Sequence, residues 1–275
     1  DSNCPTVNLK ITYINAAPSD KYGYNSMSGQ NEQISTFKKI LLNIEKLYSP
    51  DLIFVACGTL SGLLDELHTY KYLTRKIEGI IPIGTKLILE SLINNSKTIT
   101  IIFGTPITIE KKYFQKQLIK NGISNNRIIS QACPELATNI SSDSEGIKVS
   151  KMIQNFVKNT LEKIPNIETS LIGFLGCTHY GYRESIFSNS FNIQGYKNIK
   201  IINPNFSTAS YLRDFIFLKK KHLVNKRNNI SLEFVSPYSI PKKELITLTK
   251  LLDPVSTDTS LALNNANICP KLLED

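Results

Sequence analysis

Three observations in the sequence predict an α/β protein built on parallel sheets covered by helices. Short apolar runs alternate with stretches of helical period from Leu9 to Leu251. The run Leu171-Ile172-Gly173-Phe174-Leu175 stops at Gly176-Cys177-Thr178-His179-Tyr180, and Leu52-Ile53-Phe54-Val55-Ala56 stops at Cys57-Gly58-Thr59. Apolar runs of this length, bounded by turn residues, are what strands buried on both faces look like. Ligands of such sheets sit beyond the carboxyl ends of the strands, where both thiols fall.

The elements follow in order. Leu9 to Ile14 is a strand by β-propensity, closed by Asn15-Ala16-Ala17-Pro18. Asp20 to Ser28 is a polar, aromatic loop that either lines a site or only connects. Ile34, Phe37, Ile40, Leu41, Ile44 and Leu47 stand at helical spacing, so Glu32 to Leu47 is a helix, ended by Pro50. After the Cys57 strand, Leu60, Leu63, Leu64 and Leu67 start a helix at once, aiming free backbone N–H groups over Cys57. Ile80-Ile81-Pro82-Ile83-Gly84 reads as a strand and Thr85 to Ile93 as the helix after it. A second series runs from the strand Thr98 to Phe103, through a helix from Ile109 to Lys120, to a strand ending at Cys133-Pro134. A long helix capped by Asp143 and closed by Pro165 follows, then the Cys177 strand and a helix from Tyr182. Ile199 to Ile202, Ser207 to Leu218, Leu232 to Val235 and Pro241 to Leu251 give two more strand–helix units, with Lys219-Lys220-Lys221-His222 a solvated helix end. The tail from Asp253 to Asp275 reads as loosely packed, with Cys269 incidental. Two lobes are expected: residues 1–97 with 204–275, and residues 98–203, crossing at Asn94-Asn95-Ser96-Lys97.

Apolar content of 41% and charged content of 20% are those of an ordinary globular protein, which removes the disordered class. A net charge of +9 favours an anionic partner, but the basic residues are scattered among Asn and Ile, so no nucleic-acid partner is expected. Five cysteines is an odd count, and with no leader or long apolar segment in view, reduced thiols, a cytosolic setting and no membrane partner are expected. Asp1-Ser2-Asn3-Cys4-Pro5 reads as a loop without an initiator Met, so a fragment or processed form is expected.

A thiol ahead of a helix stands where N-terminal N–H groups favour its thiolate, which serves as nucleophile or base. Three readings of Cys57 and Cys177 compete. As structural cysteines they are small hydrophobes ending strands. As zinc ligands they lack close Cys-x-x-Cys pairing, in a chain with three histidines. As a facing pair they fit racemisation beside a carboxylate, which needs a base on one face of the carbon and an acid on the other.

The motifs carry a resemblance. Ile53-Phe54-Val55-Ala56-Cys57-Gly58-Thr59 resembles the first cysteine motif of the glutamate racemase (aspartate/glutamate racemase) family. Phe103-Gly104-Thr105-Pro106-Ile107-Thr108 with Tyr113 resembles its middle threonine motif, and Ala132-Cys133-Pro134 its Ala-Cys-Pro segment. Leu175-Gly176-Cys177-Thr178-His179-Tyr180 is close to identical to its second cysteine motif. The resemblance implies two flavodoxin-like lobes with parallel sheets, related by pseudo-twofold symmetry, with the site in the cleft between them. It implies racemisation of an acidic amino acid without pyridoxal phosphate or other cofactor and without metal. Cys57 and Cys177 would be the acid/base thiols, with His179 assisting. Gly58, Thr59, Thr105, Thr108, Thr178, Tyr22 and Gly23 would line the substrate. It further implies a homodimer, and D-glutamate made for peptidoglycan in a bacterial cytoplasm.

The chain also departs from that pattern. The family's Asp-Ser-Gly opening has no counterpart before Leu9, because Asp1-Ser2 leaves no room for a first helix; it is expected upstream or lost. Cys-Asn-Thr is Cys57-Gly58-Thr59 here, Gly-Asp-Thr is Asn15-Ala16-Ala17, and the glutamate expected after Cys133 falls at Ser141 with Glu135 nearby. Two alternatives therefore stand beside the racemase: a weak or inactive relative that binds a dicarboxylate or a protein partner, and a sister enzyme such as an aspartate racemase.

Overall fold

A computed structural model of the chain describes residues 7–67, 76–93, 96–143, 145–164, 170–197, 199–218 and 228–275. The expected opening Asp1-Ser2, the Asn94-Asn95 half of the crossing, Pro165 and the Lys219–His222 run lie outside the described residues. Packing divides the chain into two units: Asp1–Tyr48 with Ser207–Asp275, and Ser49–Phe206.

In the first unit, β1 (Val7–Ile14), β8 (Asn228–Ser236) and β9 (Asn267–Ile268) form a parallel sheet in the order β1-β8-β9. Asn15 ties the carboxyl ends of β1 and β8: its N–H donates to the Val235 carbonyl at 2.8 Å, and its side-chain amide donates to Ser236 Oγ at 3.2 Å and Tyr238 Oη at 3.3 Å. Helix α1 (Gln30–Tyr48) buries Phe37, Ile40, Leu41 and Ile44, the expected face. Helices α10 (Lys242–Leu252) and α11 (Thr257–Asn264) complete the unit.

The tail differs from the loose segment expected. It holds α11, β9 and a 3-10 turn at Pro270–Leu272, with Leu263 and Leu272 fully buried. Asn43 on α1 donates to the Leu272 carbonyl at 3.2 Å and the Glu274 carbonyl at 2.9 Å, and the Cys269 N–H continues the β8 ladder to Ser236. Two well-spaced leucines and a backbone ladder order a segment whose composition reads as loop.

In the second unit, β2 (Leu52–Val55) and β3 (Lys76–Gly79) pair in parallel. A four-stranded parallel sheet has the order β5-β4-β6-β7, from β4 (Ile99–Gly104), β5 (Ile128–Ala132), β6 (Leu171–Leu175) and β7 (Lys200–Ile202). Ile81, Ile88 and Leu92 of α3 (Ile80–Leu92) and Phe114 and Leu118 of α5 (Tyr113–Lys120) bury one side of it with Ile102, Ile172 and Phe174. Phe187 and Phe191 of α8 (Glu184–Ile193) pack on Phe103, with ring centroids 4.9 and 6.1 Å apart. This shared core is why residues 49–97 pack with 98–206, not with the first lobe as expected.

Four expectations need local correction. Ile80 to Gly84 is the first turn of α3 and not a strand: Pro82 is tolerated in a first turn, where its missing N–H costs nothing, and the strand is the preceding Lys76–Gly79. β2 is not buried on both faces; Ile53 and Val55 are buried while Leu52 and Phe54 are partly exposed, because its described sheet has one partner strand. The helix expected over 109–120 is two, α4 (Pro106–Glu110) and α5, broken at Lys112, whose φ of 57° is left-handed. The long helix α7 (Ile147–Leu161) starts later than expected, with Gly146 and not Asp143 at its N-cap; Asp143, three residues earlier, still accepts from the N–H groups of Gly146 at 3.1 Å and Val149 at 3.0 Å. Among the described residues no helix is long and apolar enough to cross a membrane.

Candidate active site

Both proposed acid/base thiols belong to the second unit. Cys57 follows β2 and is the N-cap of α2 (Gly58–Leu63); Cys177 follows β6 and is the N-cap of a 3-10 turn at Thr178–Arg183. A chain leaving a buried strand and turning at once into a helical turn leaves N–H groups unpaired at the turn's start. At Cys57 the N–H groups of Thr59 and Leu60 favour the thiolate, and at Cys177 those of His179 and Tyr180 do, the Tyr180 N–H also donating to the Cys177 carbonyl at 3.0 Å. The two sites are thus built alike, although one ends a partly exposed strand and the other a strand buried at every residue.

Burial sets the proton affinity of both. Desolvation raises the Cys57 thiol, opposed by the Leu60 and Thr59 N–H groups and the Thr59 hydroxyl. Protein crowds Cys57, yet solvent reaches it, so water moderates this rise. Cys177 is buried, and desolvation with the nearby Cys57 pushes it up to about 12 against the pull of the His179 and Tyr180 N–H groups. His179 Nδ1 stands 3.9 Å from Cys177 Sγ, and desolvation lowers its pKa, so the imidazole beside the thiol is neutral. Tyr180, fully buried, donates to the Cys133 carbonyl at 3.3 Å and ties this turn to the end of β5.

The backbones of the two cysteine segments touch. A Cβ on Gly58 would stand 2.6 Å from the Gly176 carbonyl oxygen, so a side chain at 58 requires the segments to part. Gly176 is equally confined: its N–H donates to the Phe103 carbonyl at 2.7 Å, and a Cβ there would meet that oxygen at 2.8 Å. The absence of a side chain at 58 is what lets these segments come together.

Thr59, Thr105 and Thr108 form a closed triangle of buried hydroxyls, with oxygens 2.9 Å apart for Thr59–Thr105, 3.0 Å for Thr105–Thr108 and 3.3 Å for Thr59–Thr108. Thr105 is the N-cap of α4, its hydroxyl accepting from the Thr108 N–H at 3.4 Å. This cluster joins α2, which follows Cys57, to the β4–α4 turn, so two motifs distant in sequence meet. Thr178 sits half-buried between Cys177 and His179. Tyr22 and Gly23 lie exposed in the first unit, ahead of α1, apart in the chain's division from the other proposed residues. Among the described residues no three His, Cys, Asp or Glu side chains are arranged to hold a metal ion.

Sequence reasoning missed the asparagines after β7. Asn205 Nδ2 donates to the Thr178 carbonyl at 3.0 Å, and Asn203 Nδ2 to Glu184 Oε2 at 3.0 Å. The only signal in the sequence was the turn pair Asn203-Pro204, which marks a strand end and no chemistry.

No family model matches the chain. Among curated proteins it is 26% identical over 230 residues to glutamate racemase 3 of Caldanaerobacter subterraneus subsp. tengcongensis, covering 74% of this chain and 79% of that protein. Its fold matches the glutamate racemase isoform RacE1 of Bacillus anthracis with a TM-score of 0.67 at 18% identity, over 93% of this chain and 94% of that one. The Francisella tularensis glutamate racemase, solved in complex with D-glutamate, matches with a TM-score of 0.64 at 20% identity, over 91% and 94% of the two chains. The resemblance read from the cysteine motifs is thus met twice, by a sequence relative and by the fold.

Proposed function

We propose that this chain, a divergent member of the glutamate racemase (aspartate/glutamate racemase) family, is a racemase that inverts the α-carbon of an acidic amino acid without pyridoxal phosphate, using Cys57 and Cys177 as its two acid/base groups. The observation that carries the reading is the matched placement of the two thiols, each at the head of a helical turn just past a parallel strand, on backbone segments so close that a Cβ on Gly58 would stand 2.6 Å from the Gly176 carbonyl oxygen. One cysteine, as thiolate, takes the α-proton; the other, as thiol, gives a proton to the opposite face, and the pair ends with the charge exchanged. A thiolate in a dry site is a strong base when formed, which suits a carbon acid, while the turn N–H groups keep it attainable. Neutral His179 is suited to moving a proton to or from Cys177. The Thr59, Thr105 and Thr108 hydroxyls and the turn N–H groups offer donors for carboxylates. Glutamate is the substrate we assign, with D-glutamate for peptidoglycan as the use and a bacterial cytoplasm as the setting.

The test is α-proton exchange: L-glutamate incubated with the full chain in D2O gains deuterium at the α-carbon and loses optical activity, and Cys57→Ser or Cys177→Ser stops racemisation. Absence of exchange with both glutamate and aspartate sinks the proposal. One observation favours a second reading, a dicarboxylate-binding relative of low activity: Gly58 offers no side-chain amide and the Gly176 carbonyl occupies that space. Calorimetric binding of glutamate without exchange would select it.

A further inference from the structure

The segment Cys177-Thr178-His179-Tyr180 is held from outside by a residue that no chemical motif contains. Asn205 Nδ2 donates to the Thr178 carbonyl at 3.0 Å. Asn205 is itself seated: its N–H donates to Asn203 Oδ1 at 3.1 Å, and Asn203 Nδ2 donates to Glu184 Oε2 at 3.0 Å at the start of α8. Space for the pair comes from Gly181, where a Cβ would stand 2.6 Å from Asn205 Nδ2 and 2.8 Å from Asn203 Nδ2. Asn205 Oδ1 is buried and has no hydrogen-bond partner among the described residues. An acceptor buried in that state costs stability, so the amide's worth at this position lies in its donor end.

The Thr178 carbonyl and the His179 N–H belong to one peptide unit. That unit is planar and trans, so the two groups point in opposite directions. The carbonyl rests on Asn205, and the N–H, on the opposite side of the unit, is one of the groups that favour the Cys177 thiolate. We propose that Asn205 is a positioning residue for Cys177: by holding the Thr178 carbonyl it aims the His179 N–H at the sulfur and stabilises the thiolate. The other groups near this sulfur are Cys57 from the head of α2, Cys133 from the end of β5, and His179 and Tyr180 on the turn itself. The use of that thiolate as a base rests on the racemase reading; the aiming is read from thiol reactivity and does not.

The experiment compares the full chain with Asn205→Ala and Asn205→Leu, the second keeping the side-chain volume without the donor. Each is treated with methyl methanethiosulfonate at about pH 8, and Cys57 and Cys177 are followed separately by peptide mass. Loss of one N–H to a thiolate raises its pKa by about one unit, and the greater nucleophilicity of a more basic thiolate offsets part of the lost population, so Cys177 reacts roughly three- to fourfold more slowly. Cys57 keeps its rate. A wild-type Cys177 rate in Asn205→Leu, equal slowing at Cys57, or failure of both variants to fold overturns the proposal. If Cys177 slows alone while the wild-type chain exchanges no α-proton, Asn205 keeps its role and the racemase reading falls.

Discussion

Gly58 and the carbonyl oxygen of Gly176 are so close that a Cβ on the first would lie 2.6 Å from the second. The obstacle is backbone, which cannot swing aside as a side chain does. Gly58→Ala is expected to destabilise the chain by about 1–3 kcal/mol, the range for overpacking a tight site. Gly58→Asn is expected to cost more, because its larger side chain needs the two segments farther apart. Denaturant midpoints of the three proteins check both.

Thr105→Val keeps the shape and removes one corner of the hydroxyl triangle, leaving Thr59 and Thr108 a single contact 3.3 Å long. Removing one partner from buried polar groups costs about 1–3 kcal/mol. Under the racemase reading KM rises as well, since a carboxylate loses a donor. Urea unfolding and steady-state kinetics separate the two effects, and unchanged stability would show that the triangle holds nothing.

The buried thiols make stability depend on pH at the alkaline end. Cys177 is pushed up to about 12, and burial raises Cys133 in the same direction. Unfolded thiols lose their protons near about 8.5, so above that pH the unfolded chain is the less protonated state and stability falls as pH rises toward the folded values. His179 works at the other end: its lowered pKa keeps it neutral in the fold, so stability is lost as pH falls below about 6.5, where the unfolded imidazole charges. The denaturant midpoint should form a plateau between these limits, and Cys177→Ser should soften its alkaline side.

Asp143 supplies two acceptors to the start of α7, at 3.1 Å to Gly146 and 3.0 Å to Val149. Asp143→Ala is expected to cost about 1 kcal/mol, the order of worth of a side chain that accepts from the free N–H groups of a helix start. Thermal unfolding near neutral pH measures it.

These expectations show which parts of the molecule its sequence carries. The strands that deliver Cys57 and Cys177, the apolar face of α1 and the role of Asp143 ahead of α7 were legible because periodicity and capping are local. Ile80 to Gly84 misled because an apolar run of five residues fits a strand and a helical first turn equally well; only the pairing of Lys76–Gly79 with β2 decides. The tail misled because its order comes from Asn43 and the β8 edge, far away in sequence. At the site, the cysteine and threonine motifs were readable as residue types. The Gly58–Gly176 approach and the Asn205 contact were not, since each depends on which backbone atoms meet in space.

The threonine triangle fixes three oxygens without fixing three hydrogens. At each edge either hydroxyl serves as donor, so the ring has a clockwise and an anticlockwise arrangement on the same heavy-atom frame. Turning one into the other needs only rotation about three C–O bonds. The cluster can therefore rearrange its hydrogens while its oxygens and the surrounding fold stay still.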